Sequence, residues 1–206
     1  MSARREAPAR VILATSNPGK LREIAELLAP LPVPVVGLDA LPGLRLPPEG
    51  DDYRANAIGK ARAAAAFGGS PALGDDSGLE VDGLGGAPGP HSARYGGPGQ
   101  DDAGRVARLL GELAGREGAA RRARFVCAAA LVTPEGLVVA TRGECAGRIA
   151  PAPRGEGGFG YDPIFELDAC GRTLAELAAD EKHRVSHRAR AFRALRPALL
   201  ELLAGG

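Results

Sequence analysis

Short apolar runs alternate along this chain with stretches of helical period, and turn residues separate them. Residues 10–15 (Arg-Val-Ile-Leu-Ala-Thr) form a β-branched run that reads as a buried strand. Ser16-Asn17-Pro18-Gly19 is turn chemistry, and Lys20 to Ala29 places Leu21, Ile24, Leu27 and Leu28 at helical spacing before Pro30 stops the helix. A second strand is expected at about 33–38, then a Pro/Gly-rich loop over 39–50, then an Ala-rich helix from about Asp52 to Phe67. Ala72 to Gly83 reads as a strand, an acidic turn at Asp75-Asp76 and a second short strand. Residues 83–99 hold seven glycines and three prolines and are expected to be irregular. A helix at about 100–114 follows, then two long strands at 122–133 and 137–149 around Pro134-Glu135-Gly136, a hairpin. Gly155 to Pro163 is a second Gly-rich loop, and Thr173 looks like the cap of a short helix. Ser186 looks like the cap of a final helix to about Leu203, which Pro197 is expected to kink or break.

Strand–helix alternation at the start and a hairpin later predict an α/β fold around a mixed sheet. No repeat or low-complexity linker divides the chain. The expected organisation is a loose extension over 1–9 and one domain over 10–206.

The chain has 206 residues, enough for one core, and its composition is globular: 45% apolar and 25% charged. Lys plus Arg is 26 and Asp plus Glu is 25, so no broad field attracts nucleic acid or an anionic membrane. An anion must be met locally. No apolar run is long enough to span a bilayer, and no signal-peptide segment follows Arg4-Arg5. Cys127, Cys145 and Cys170 are odd in number and widely spaced, which predicts no disulfide framework and a reducing, cytoplasmic setting. Only three of the 26 basic residues are lysines: Lys20, Lys60 and Lys182. In so Arg-rich a chain, these mark positions where a compact ammonium has a task.

Four segments carry candidate chemistry. Thr15-Ser16-Asn17-Pro18-Gly19-Lys20 lies where a strand hands over to a helix, a place that suits phosphate, with Lys20 adding a full charge. It is not a P-loop, because Leu21 stands where Ser or Thr would follow the lysine. Gly74-Asp75-Asp76-Ser77-Gly78 sets two carboxylates side by side, expected exposed at a sheet end, where they favour a hard divalent cation and can activate water. Gly157-Gly158-Phe159-Gly160-Tyr161-Asp162-Pro163 places two of only eight aromatics in a glycine loop, offering faces to a base. Lys182, His187 and Arg188 cluster as donors at the expected start of the last helix.

Together with Gly85 to Gly89 and Ser92-Ala93-Arg94-Tyr95, these segments resemble the inosine triphosphate pyrophosphatase family, in order and from about Val11 to the last helix. The resemblance implies an elongated mixed-sheet α/β fold with flanking helices, two lobes around a nucleotide cleft, and a homodimer. It implies Mg²⁺-dependent hydrolysis, with Mn²⁺ as a substitute, of ITP, dITP and XTP to the monophosphate plus pyrophosphate. By position, Thr15, Ser16, Asn17, Pro18, Gly19 and Lys20 would hold the triphosphate. Asp76 would accept the proton and ligate the metal, with Asp75 nearby and Ser77 on the substrate. Phe159, Gly160, Tyr161, Asp162, Lys182, His187 and Arg188 would bind the nucleotide, chiefly its base. Glu49 is the metal glutamate by its loop, with Asp51 and Asp52 as alternatives. The family pattern has glycine at Ser16 and places an acid–Asn pair where Ala55-Asn56 stands here. A pyrimidine-directed sister enzyme and a nucleotide-binding module without hydrolysis are the rival readings. Intact Asp75, Asp76 and Lys20 speak against the second.

Overall fold

The structure, a computed structural model, describes residues 8–205. Most of the extension expected over 1–9 therefore lies outside the described residues. In chain order the elements are β1 (Val11–Ala14), α1 (Pro18–Leu28), β2 (Val35–Val36), α2 (Tyr53–Gly68), β3 (Ala72–Val81), β4 (Pro88–Gly89), α3 (Asp102–Glu112), β5 (Arg122–Val132), β6 (Val138–Ile149), β7 (Phe165–Glu166), α4 (Ala179–Val185) and α5 (His187–Leu203).

They form the expected mixed α/β fold. One sheet runs in the order β2-β1-β3-β5-β6-β7, with β4 beside β3. β1 is parallel to β2 and to β3, while β4 on β3 and β7 on β6 are antiparallel. All four residues of β1 are buried, as expected of a strand covered on both faces. β5 and β6 are the long hairpin strands, closed by a turn in which Thr133 N donates to Leu137 O at 3.1 Å.

The described residues fall into two compact units: 8–76 with 127–143 and 188–205, and 77–126 with 144–187. In the first, Val11, Leu13, Ile24, Leu28, Leu73, Leu131, Phe192, Leu195 and Leu199 share a core. Here α2 presents Ala57, Ala61, Ala64 and Ala65 inward, small side chains that let a helix lie close to the sheet. A Cβ on Gly74 of β3 would run into the carbonyl oxygen of Ala57, so glycine sets that approach. In the second unit Leu79, Leu109, Leu113, Phe125, Ile149, Tyr161 and Phe165 form a separate core. Phe125 and Phe165 rings pack with centroids 4.7 Å apart.

Three expectations change. Ala72 to Val81 is one ten-residue strand, with no acidic turn inside it. Lys182 belongs to α4, a separate helix before the last one. The final helix continues through Pro197, because its buried residues Leu195, Leu199 and Leu203 hold both halves in the same core. Among the described residues no helix is long and apolar enough to cross a membrane, and all three cysteines are free thiols.

Candidate active site

The turn after β1 forms as the sequence predicts. Asn17 caps α1, its Oδ1 accepting from Lys20 N at 3.0 Å, and Pro18 takes the first helical turn where no N–H is needed. Thr15 Oγ1 accepts from Asn17 N at 3.2 Å. Two backbone amides are thus used within the turn, and the strongest anion-attracting group there is the Lys20 ammonium. It ion-pairs with Asp75 Oδ1 while keeping 15% of its side chain exposed.

The acidic pair lies inside β3 and is buried, not exposed as expected: Asp75 is 0% and Asp76 3% exposed. The turn preference of Asp-Asp-Ser-Gly yields here because cations on both faces pair the charges. Successive strand residues point to opposite faces, so the two carboxylates enter different surroundings. Asp75 accepts from Lys20, from Arg188 Nε at 3.2 Å and from Cys127 Sγ at 3.1 Å. Asp76 faces α2, accepting from Asn56 Nδ2 on Oδ2 at 2.9 Å and from Lys60 Nζ on Oδ1 at 2.9 Å.

The two aspartates shift in opposite directions. Burial opposes ionisation of Asp75, but the neighbouring Lys20 and Arg188 outweigh it and hold its pKa below the usual carboxylate range. At Asp76 burial dominates over Lys60 and Asn56, and its pKa is raised. Burial also works against the Lys60 charge, yet Asp76, then Glu49 and Asp75, keep its pKa above the ordinary lysine value.

Lys60 is the residue the motif reading missed. Its Nζ donates to Glu49 Oε1 at 2.6 Å as well as to Asp76, so it joins two carboxylates. Asn56 fastens the same loop: its Oδ1 accepts from Gly50 N at 2.8 Å and its Nδ2 donates to Gly50 O at 2.9 Å. Asp52 is occupied as the α2 cap, accepting from Ala55 N at 2.6 Å, and Glu49 meets this group through Lys60. The scarcity of lysine was the available signal. All three lysines of the chain pair with an aspartate: Lys20 with Asp75, Lys60 with Asp76 and Lys182 with Asp162.

In the second unit, Asp162 organises the glycine loop. Its Oδ2 accepts from Phe159 N at 2.8 Å and from Lys182 Nζ at 2.6 Å. Lys182 Nζ also lies 5.1 Å from the Phe159 ring centroid, a cation–π contact. Gly158 has φ +72°, and a Cβ there would strike the Asp162 carboxylate. The two rings of the loop part company. Phe159 is half-buried, whereas Tyr161 is a core residue whose hydroxyl donates to Ser92 O at 3.0 Å. Gly160 N donates to Asp102 Oδ2 at 2.7 Å. His187 stacks on Phe125, rings 4.6 Å apart and 10° from parallel. Ser77 is half-buried where β3 passes the acidic pair.

Arg188 lies with the first unit's charges. It is 2% exposed, with Nη1 donating to Glu23 Oε2 at 2.5 Å and Nε to Asp75. The structure thus assembles Lys20, Asp75 and Arg188 in one group, Glu49, Lys60 and Asp76 in a second, and Phe159, Asp162 and Lys182 in a third.

Comparison with known proteins adds an independent finding. The model of the Ham1 family matches residues 11–198. The dITP/XTP pyrophosphatase of Symbiobacterium thermophilum is 51% identical over 195 residues, 93% of this chain and 97% of that protein. The Thermus thermophilus protein of the same name is 49% identical over 187 residues, 90% of this chain and 89% of its own length. Among solved structures, a HAM1 protein from Coxiella burnetii aligns with TM-score 0.82 at 39% identity, covering 93% of this chain and 98% of that one. A nucleoside-triphosphatase / dITP/XTP pyrophosphatase from Mycobacterium abscessus aligns with TM-score 0.74 at 44% identity, covering 91% and 99%.

Proposed function

Because this chain belongs to the Ham1 family, we propose that it is a nucleoside triphosphate pyrophosphatase, cleaving ITP, dITP and XTP to the monophosphate and pyrophosphate. The observation that carries the reading is Asp76: a buried carboxylate held by Asn56 and Lys60, with Glu49 on the same ammonium.

In this reading Asp76 accepts the proton of the water that opens the α–β anhydride. Its raised pKa makes it a stronger base than a solvated aspartate. Lys60, 2.9 Å away, keeps that base oriented and offsets charge around it. Lys20, with the turn from Thr15 to Gly19, binds the triphosphate, and Ser77 donates to it. Phosphoryl chemistry of this kind needs positioning and charge stabilisation more than a covalent intermediate.

Glu49 and Asp76 would hold the divalent metal, Mg²⁺ with Mn²⁺ as substitute. The donor set supports this assignment: both groups supply carboxylate oxygens, and both converge on a single cationic atom, Lys60 Nζ. Among the described residues no cluster of three metal-binding side chains forms, so this chain's own donors are these two carboxylates. An ion held there would supply charge neutralisation for the pyrophosphate leaving group.

The base is assigned to Phe159, Gly160, Tyr161, Asp162, Lys182 and His187, and Arg188 is kept as a further nucleotide-binding residue. Hypoxanthine and xanthine carry an acceptor oxygen at position 6, which Lys182 and loop N–H groups can satisfy. Adenine places an amino donor there and leaves buried donors unpaired, at about 1–3 kcal/mol each. Tyr161 serves this role through the loop's shape, since its own ring is in the core.

We further propose that residues 10–206 are the pyrophosphatase domain, that the chain works as a homodimer and that it acts in the cytoplasm, without nucleic-acid or membrane partners. Sedimentation tests the dimer. The activity itself is tested by product analysis: ITP with Mg²⁺ should yield IMP and pyrophosphate, and chelation should stop the reaction. IDP and inorganic phosphate as products would reject the reading.

A further inference from the structure

Asp75 adjoins the proposed base but points to the other face of β3, toward a different set of side chains. Its donors include side chains from three elements, Lys20 on α1, Cys127 on β5 and Arg188 on α5. Arg188 is bound in turn by Glu23, one helical turn after Lys20 on α1, at 2.5 Å. Lys20, Arg188, Asp75 and Glu23 bring two positive and two negative charges together. Asp75 is fully buried and Arg188 nearly so, whereas Lys20 retains an open edge. The carboxylate therefore cannot itself meet a solvent-borne ion, but it fixes the one cation that can.

We infer that Asp75 is a positioning residue of the reaction: it holds the Lys20 ammonium, and through Arg188 the start of α5, in the arrangement that receives the nucleotide, with the Cys127 thiol as a further donor. The inference rests on the proposed triphosphate role of Lys20. Without the Asp75 charge, Lys20 and Arg188 face each other as like charges. The more exposed partner, Lys20, then turns to solvent. The Cys127 side chain is buried and its Sγ lies 3.1 Å from Asp75 Oδ2, so this contact orients the carboxylate.

The experiment compares wild type, Asp75→Asn, Lys20→Met and the double variant, with KM and kcat for ITP and a thermal melt for each. Groups that act through one another are non-additive. Asp75→Asn should raise KM about tenfold, and the double variant should match Lys20→Met within about twofold. Losses that multiply in the double variant, or an Asp75→Asn KM within about twofold of wild type, would overturn the inference. If Asp75→Asn does not fold, Cys127 decides. Cys127→Ala should raise KM about threefold and Cys127→Ser should restore it, since a hydroxyl also donates. Equal KM for wild type, Cys127→Ala and Cys127→Ser would overturn it. Inactive wild-type enzyme would instead reject the pyrophosphatase reading.

Discussion

Lys60 Nζ lies 2.9 Å from Asp76 Oδ1 and 2.6 Å from Glu49 Oε1, one ammonium joining two carboxylates that are 27 residues apart in sequence. Two anions are brought within reach of a single cation, and one of them, Asp76, has its pKa raised by burial. This is the arrangement expected of a base beside a cation-binding position, and the account stands on it.

Asp76→Asn should lower kcat on the order of a hundredfold or more, since the amide can neither take the proton nor ligate as a carboxylate. The substitution keeps the side-chain volume, so the melting profile should remain cooperative. Steady-state rates with ITP check this. A rate within about threefold of wild type would remove Asp76 from the chemistry.

Lys20→Ala should raise KM and lower kcat for every triphosphate by similar factors, leaving the ratio between bases unchanged. Its ammonium lies at the N-terminal turn of α1, the kind of place that suits a phosphate and carries no information about the base. Parallel kinetics on ITP, XTP and ATP check the prediction. A shift in base preference with unchanged phosphate affinity would contradict it.

The lowered pKa of Asp75 makes a pH prediction. A carboxyl depressed on folding contributes stability above its unfolded pKa, near 3.8, and that contribution is lost as pH falls through the lower folded value. Asp75→Asn lacks this dependence. The wild-type advantage in unfolding free energy, measured in urea with chelator present, should be level between pH 5 and 7. Below pH 4 it should shrink by about 1.4 kcal/mol per pH unit. An advantage unchanged down to pH 2 would show that Asp75 contributes shape and not charge.

Arg188→Ala should lower the preference for ITP over ATP by roughly tenfold, the scale of one unsatisfied buried hydrogen bond. The ratio of kcat/KM values is the right readout, because it does not depend on the folded fraction. Some stability should be lost as well, since Asp75 and Glu23 are left facing each other. Equal losses on both nucleotides would confine Arg188 to the ion-pair group.

Much of this was legible locally. The strand–turn–helix from Val11 to Leu28, its Asn17 cap and the β5–β6 hairpin follow from apolar period and turn chemistry, which are short-range signals. The acidic pair was misplaced because its turn preference is local. The charges that keep it in a strand come from Lys20, Lys60 and Arg188, up to 113 residues away. Lys60 was marked only by rarity, since its partners Glu49 and Asp76 meet it through the packing of α2 on β3. The last helix begins right after Ser186, as its capping chemistry predicts, whereas α4 was not foreseen because seven residues, most of them charged, carry too short an apolar period to read. The family motifs, in contrast, survive in order, and the match over residues 11–198 bears out the resemblance.

The central claim, hydrolysis directed at deaminated purine triphosphates, is tested most directly by pyrophosphate release from a nucleotide panel. Purified protein is incubated with Mg²⁺ and ITP, dITP, XTP, ATP or GTP at one concentration, and initial rates are compared. The account predicts release from ITP, dITP and XTP on the order of a hundredfold faster than from ATP or GTP, because adenine presents an amino donor at position 6 and guanine one at position 2, where the base site offers no acceptor. Equal rates on all five, or release from ATP and GTP alone, would contradict it.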